Sequence, residues 1–509
     1  MTSIRADRQD PPGLPPPAVA PIAFDNSYAR LPERFFARVA PTPVPGPRLI
    51  RLNEDLARHL GIDPDRLSAP DGVEMLAGNR VPDGAEPIAM AYAGHQFGSW
   101  VPQLGDGRAV LLGEVRDRDG VRRDIQLKGA GRTPFSRMGD GRAVLGPVLR
   151  EYIVSEAMAA LGVRTTRALA AITTGEQILR DGLWPGAVLT RVAESHVRVG
   201  TFELFAGRRD TEAVRLLADY VIARHYPDAA GAERPVLALL DMVIGRTAKL
   251  IASWQLIGFI HGVMNTDNMS IVGETIDYGP CAFMDTFHPG TVFSSIDGAG
   301  RYAYGNQPGI AHWNLARLAQ AMLPHLGADA DGALDAARAA IGTFPARFAA
   351  AYLTGLRRKL GLTEERAGDM ALAQDLLDRM AQSRADFTLT FRRLSDAAGA
   401  GPDADGPLRS LFDDPAAFDA WAVEWRRRLA QEDTTAAERQ AAMRAVNPAV
   451  IPRNHQVEAV IAAARHGDHA PLDDLLTVLA APFEDRPAFA RYADPPTPDQ
   501  VVHETFCGT

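Results

Sequence analysis

The chain has 509 residues, 46% of them hydrophobic, which is enough for two or three domains with their own cores. Its net charge of -9 argues against a general nucleic-acid binder, a class that normally carries a net basic balance. No apolar run reaches the ~18 residues of a membrane span, and the start, Met1-Thr-Ser-Ile-Arg-Ala-Asp-Arg, lacks a signal-peptide core, so a cytoplasmic protein without membrane contact is expected.

In chain order, residues 11–21 are Pro-rich and read as extended or disordered, and residues 23–90 as an irregular and helical extension. The run Leu104-Gly105-Asp106-Gly107-Arg108 then turns into the β-like stretch Ala109 to Val115. Glycines there would let backbone amides approach an anion, although a lone Gly-x-Gly is more often only a tight turn.

Lysine is rare. Only Lys128, Lys249 and Lys359 occur, so 51 of the 54 basic residues are arginine. Lys128 ends Asp124-Ile-Gln-Leu-Lys, whose alternation predicts a half-buried strand. A compact ammonium at a strand end suits a phosphate oxygen, and the competing reading is a surface lysine on an edge strand. Residues 146–161 follow a helical pattern with Gly162 as C-cap, and Glu151 falls on its apolar stripe with Val154 and Met158. A carboxylate on a core-facing position needs a cation, for which Lys128 is the simplest candidate. The alternative is a first-turn glutamate bending out to water.

The segment His261-Gly-Val-Met-Asn-Thr-Asp267-Asn268-Met-Ser-Ile-Val-Gly273-Glu274-Thr-Ile-Asp277-Tyr-Gly279 is the most informative of the chain. Its β-prone runs around Gly273-Glu274 predict a two-residue hairpin. Pairing Val272 with Thr275 would leave Asn268 and Asp277 diagonal neighbours roughly 7 Å apart, able to share one hard cation such as Mg²⁺. The competing reading is an Asx-rich turn with capping side chains. His261, His288 and His312 match no compact zinc spacing and read as structural. Residues 206–395 are mostly Ala- and Leu-rich amphipathic pattern, Gly399 to Pro407 is a linker, and further helix follows to about residue 480. With two cysteines, Cys281 and Cys507, neither a disulfide scaffold nor a cysteine zinc site is possible.

A glycine turn before a strand, Lys128 on the next strand, Glu151 on a helix, then Asn268 and Asp277 is the order of protein-kinase parts. One departure decides the chemistry. Alignment of His261 to Asn268 with the kinase catalytic loop puts Val263 where the base aspartate belongs, so the site is either inactive or performs other phosphate chemistry.

Those residues, with the runs Tyr92 to Arg108 and Gln126 to Arg142, carry a family resemblance. Over nearly its whole length the chain resembles the SelO (selenoprotein O) family of kinase-like protein adenylyltransferases. The resemblance implies an α+β, protein-kinase-like bilobal fold. A small β-rich N-lobe would span residues 91–205 and a larger helical C-lobe 206–395, with N- and C-terminal extensions at 1–90 and 396–509. It implies AMP transfer from ATP to Ser, Thr or Tyr hydroxyls of proteins, with pyrophosphate leaving and Mg²⁺ or Mn²⁺ as cofactor. On the matching positions Gly105, Gly107, Arg108, Lys128, Asp140, Gly141, Arg191 and Arg198 would bind nucleotide, and Glu151 would pair with Lys128. Asn268 and Asp277 would bind metal, and Asp267 would accept the proton. Near-terminal Cys507 stands where eukaryotic relatives carry selenocysteine, so a redox pair with Cys281 is a further expectation. A kinase with a relocated base, a uridylyltransferase using UTP and a non-catalytic scaffold remain as alternatives.

Overall fold

The computed structural model describes residues 22–506; the Pro-rich stretch 11–21 and Cys507 lie outside them. The strands are β1 (Phe36–Arg38), β2 (Arg48–Leu52), β3 (Ile88–Met90), β4 (Gly94–Gln96), β5 (Ser99–Val101), β6 (Ala109–Arg116), β7 (Arg122–Lys128), β8 (Ala143–Val144), β9 (Arg167–Leu179), β10 (Leu183–Ala193), β11 (Phe259–Ile260) and β12 (Ala282–Phe283). Eight of them form one antiparallel sheet in the order β1-β3-β6-β7-β10-β9-β2, with β8 paired to β10. β4–β5 and β11–β12 are separate two-stranded ladders. Helices dominate after residue 199, giving a mixed α+β protein with a sheet lobe and a helical region.

One expectation changes here, and one competing reading falls. Residues 23–90 are not only irregular and helical, because β1, β2 and β3 belong to the main sheet. These strands are three to five residues long, too short for a period-two pattern to stand out between prolines. Lys128 is also not on an edge: in register it faces Ala109 of β6 on one side and Leu189 of β10 on the other.

The Leu145–Ala160 helix, close to its predicted span, ends at Leu161 with Gly162 at φ +78°, the left-handed position that only glycine takes at little cost. One side packs on β9 and β10 through Leu149 and Ile153, each contributing roughly 1.5–3 kcal/mol by burial. The other side packs on the Asn454–Arg465 helix through Val457 and Ile461. Arg150 Nη1 adds a 2.8 Å bond to Asn454 Oδ1. A second core lies on the far face of the sheet, from Leu112, Ile125 and Val188. In the helical region the Pro235–Leu256 helix runs through a large core with Phe202, Trp254 and Phe259. Phe387, Trp421 and Trp425 centre a separate C-terminal core. Among the described residues no helix is long and apolar enough to cross a membrane.

Candidate active site

A cleft of about 970 Å³ opens between the sheet and the helical region. All eleven residues expected to bind nucleotide, bind metal or accept the proton line it, while Glu151 stands behind Lys128.

The glycine turn owes its shape to close packing of two loops. Gly105 has φ +120°, and a Cβ there would meet the Phe135 ring at 2.5 Å. Thr133 Oγ1 donates to Asp106 O at 2.6 Å, and Ser136 Oγ donates to Gly107 O. Gly141 closes the second loop: at φ +72°, its Cβ would fall 2.1 Å from Gly131 C. The expected Asp140 sits at the rim of the cleft with its carboxylate held by Arg180 Nη1 at 2.8 Å.

Strand alternation puts Lys128 and Gln126 on the cleft side of β7, and the buried helix stripe aims Glu151 at the same place. Lys128 Nζ lies 2.5 Å from Glu151 Oε2. From β10, Arg191 Nη2 reaches Glu151 Oε1 at 2.7 Å and Asp277 Oδ1 at 2.8 Å. Arg198 Nη2 lies 3.1 Å from Asp277 Oδ2, and Lys128 Nζ is 4.0 Å from Asp277 Oδ1. Burial alone would raise the Asp277 carboxyl, but Arg191, Arg198 and Lys128 outweigh it and hold the group far below the usual carboxylate range. Burial lowers the Lys128 ammonium, opposed by Glu151. Asp277 adopts φ +63°, an uncommon left-handed position for a non-glycine residue.

The predicted hairpin does not form. Ser270 bridges to Arg198 and Thr275 to Thr165, so each half of the expected hairpin pairs with a different element. Gly273 still turns, at φ +68°, but Glu274 is buried, accepts the Glu194 N–H at 3.0 Å, and is pushed up to about 8 by burial and by Glu194. Asn268 and Asp277 therefore reach the cleft from separate turns rather than as cross-strand neighbours. Asn268 ends the 3₁₀ turn Thr266–Asn268, and its Nδ2 donates to Val263 O at 2.9 Å, leaving Oδ1 as its remaining amide atom.

Asp267 is 8% exposed. Burial pushes its carboxyl up to about 6, opposed by the Gln96 side chain, whose Nε2 donates to Oδ2 at 3.2 Å. Oδ1 is buried without a hydrogen-bond partner among the described residues. The β4–β5 hairpin covers this carboxylate and is pinned over it: His95 N–H donates to Thr266 Oγ1 at 2.7 Å and Phe97 N–H to Asn265 Oδ1 at 2.9 Å. Val263, 7% exposed, also lines the cleft.

Three participants were not singled out from sequence. Asp106 is buried and accepts from Met90 N–H and Gln126 Nε2, both at 3.1 Å, with Arg198 Nη1 at 3.5 Å. Its position between two glycines was the available signal. Tyr92 lies under the Arg198 guanidinium, 4.5 Å from ring centroid to Cζ, and Gln96 caps Asp267. Neither has a local pattern of its own.

Cys281 is a free, buried thiol pushed up to about 12 by burial. Its expected partner, Cys507, lies outside the described residues. Nearby Thr505 Oγ1 donates to Pro280 O at 2.7 Å, and Pro280 lines the cleft. His261 is fully buried against Trp254, with Nε2 2.9 Å from Ile276 O, a structural role as expected. His59, Asp117 and Asp119 approach one another at the β6–β7 turn. There Asp117 is already held by Arg123 Nε at 2.8 Å and by the N–H groups of Asp119 and Val121.

A family model described as protein adenylyltransferase SelO matches residues 19–480. The chain belongs to the SelO family of protein adenylyltransferases. A protein nucleotidyltransferase YdiU of Rhodopseudomonas palustris (strain BisB5) is 68% identical over 487 residues, covering 96% of this chain and 99% of the relative. The protein of the same name from Bradyrhizobium sp. (strain BTAi1 / ATCC BAA-1182) is 67% identical over the same coverage. The family is one of nucleotide-using transferases, and the cleft's donor set is compatible with a divalent metal. The anionic Asp277 carboxylate and the Asn268 amide oxygen are the oxygen donors that a hard cation takes beside phosphates.

Proposed function

We propose that the cleft transfers AMP from ATP to a Ser, Thr or Tyr hydroxyl of a protein within a kinase-like bilobal frame. β1, β2 and β3 together with residues 91–205 would form the N-lobe and residues 206–395 the C-lobe, with a C-terminal extension from residue 396. The observation that carries this reading is the convergence of Lys128, Arg191 and Arg198 on Asp277 beside a buried carboxylate with one unpartnered oxygen, and the sequence alignment that puts Val263 where a kinase carries its base supports it.

Transfer of an α-phosphoryl group develops charge on the non-bridging oxygens and on leaving pyrophosphate, so positioned cations supply most of the stabilisation. Lys128, steadied by Glu151, and the planar forks of Arg191 and Arg198 would grip the phosphates. The Gly105–Arg108 and Asp140–Gly141 loops would wall the nucleotide. Asn268 and Asp277 would hold Mg²⁺ or Mn²⁺, which when bound neutralises phosphate charge. The acceptor oxygen forms its bond to the α-phosphorus as the bond to pyrophosphate breaks, and the hydroxyl proton passes to Asp267 Oδ1. A carboxyl near 6 orients the hydroxyl and takes its proton as the new bond develops.

The test is incubation with ATP labelled at the α- or at the γ-phosphate, using the native chain and Asp277→Ala with a general protein acceptor. Label from the α position alone, absent in the variant, supports adenylyl transfer. Label from γ alone makes the protein a kinase, and ATP binding with neither label makes it a scaffold. UTP labelled at its α-phosphate, run in parallel, measures the nucleotide preference.

A further inference from the structure

The nucleotide end of the cleft matches its cations with carboxylates. The end beyond Asp267 does not. There the tip of the β4–β5 hairpin meets the stretch from Ser294 to Trp313. Phe97 packs on Tyr302, with ring centroids 5.1 Å apart, and His95 packs between Trp100 and Trp313 at 5.0 and 5.3 Å. Two arginines, Arg301 and Arg317, lie over the Trp313 ring, each with Cζ 5.1 Å from its centroid. Arg317 is one helical turn after Trp313 on the Gln307–Met322 helix.

Neither guanidinium has a carboxylate within 4.0 Å among the described residues, although ion pairing is the rule for arginines elsewhere in this acidic chain. The Nε of each is buried without a partner. The nearest carboxylate in sequence, Asp297, spends both oxygens on the N–H groups of Arg301 and Tyr302. Glu203, on the facing helix, is engaged by His95 at 2.7 Å. The shelf is therefore cationic, aromatic and uncompensated. Phe97 (36% exposed) and Ile296 (62% exposed) also line the cleft, so the shelf is continuous with the space in front of Asp267.

The separation follows from the hairpin itself. Gln96 binds Asp267, while a Cβ on Gly98 would lie 3.5 Å from Arg301 Cζ. Phe97 and Gly98 form the turn, at φ +51° and +82°, so Asp267 and Arg301 are met on successive sides of one tight bend, a span that two or three residues of an extended acceptor segment cover at about 3.3 Å each.

Building on the adenylyl-transfer reading, we propose that Arg301 and Arg317 are specificity-determining residues that recognise an Asp or Glu of the acceptor protein. That acid would sit two or three residues from the hydroxyl that receives the nucleotide. The acceptor segment lies across Phe97 and Ile296, and its carboxylate completes the charge pairing on the Trp313 shelf.

The test uses the full chain, α-labelled ATP, Mg²⁺, and peptides that differ only in carrying Asp, Ala or Lys two and three residues from a single Thr. The acidic peptide is expected to exceed the alanine peptide in kcat/KM by about fivefold, a gap that narrows as salt is raised. In Arg301→Gln and in Arg317→Gln the ratio should fall toward one, and in Arg301→Glu the lysine peptide should become the better acceptor. A thermal melt establishes that each variant is folded, and Arg317→Gln carries the comparison if Arg301→Gln is not. Equal labelling of the three peptides, or an acid preference that survives both glutamine variants, overturns the proposal while leaving adenylyl transfer standing. Absence of α-label on every peptide and protein acceptor overturns the transfer reading, and this proposal with it.

Discussion

Arg198 reaches Asp277 at 3.1 Å and thereby joins the start of the helical region to the left-handed turn at the floor of the cleft. Arg191 joins the same carboxylate to the sheet. Asp277→Asn would leave two buried guanidiniums facing a neutral amide. Transfer from ATP is expected to drop by roughly 10²–10³-fold, with some loss of stability from the broken buried pairs. Chelation with EDTA should abolish transfer by the native chain, and restored Mg²⁺ should recover it. A variant with near-native label incorporation would remove Asp277 from the reaction.

Lys128 and Glu151 should behave as one unit. Each single change, Lys128→Met or Glu151→Gln, is expected to lower kcat/KM for ATP by about 10–100-fold, and the double variant should be little worse than the worse single one. Additive losses would mean that the two side chains act independently.

Gly94 tests the placement of Asp267. A Cβ at position 94 would sit 2.6 Å from Asp267 Oδ1, and the flexible carboxylate, not the backbone, would have to yield. Gly94→Ala should therefore cut kcat by about tenfold or more, with little change in nucleotide affinity or melting temperature. A large loss of stability with unchanged kcat would show that the hairpin moved and the carboxylate stayed.

Two buried groups make opposite pH signatures in stability. Lys359 is depressed to about 7 by burial, and its Nζ lies 4.2 Å from the Phe391 ring centroid, a contact that recovers part of the lost hydration. Its folded pKa lies below the unfolded value of 10.5, so the cost of burying the charge is fully present below about 7 and fades as pH rises toward 10.5. Glu274, raised to about 8 from 4.5, behaves the other way: stability falls as pH climbs from 4.5 through 8. Lys359→Met should raise the melting temperature at pH 6 and little at pH 10. Glu274→Gln should help at pH 9 and little at pH 4. Denaturant titrations across this range decide it, and flat differences would remove both assignments.

Much of this site was legible in the sequence, for identifiable reasons. Lys128 and Glu151 stood out because a strand alternation and a helix stripe each put a charge on an inward face, and a buried charge demands a partner. The turn around Gly273 was right and its consequence wrong. Local β propensity favoured a hairpin, but Ser270 and Thr275 gain their pairing from Arg198 and Thr165, contacts that no window of sequence contains. Arg191 and Arg198 were visible only through the family resemblance, because 51 arginines make any single one inconspicuous. Gln96 owes its place to tertiary neighbours, so nothing local marked it, whereas Asp106 had only its flanking glycines to mark it. β1 and β3, three residues each, are strands only because the sheet extends them.

The helix that carries Glu151 is sandwiched, with the sheet on one side and the Asn454–Arg465 helix on the other. Swinging that helix outward, a familiar way of switching phosphate-transfer enzymes off, would here require peeling a packed hydrophobic layer away. The Lys128–Glu151 pair thus rests on a helix held from both faces, and its geometry is tied to the hydrophobic layers that flank it.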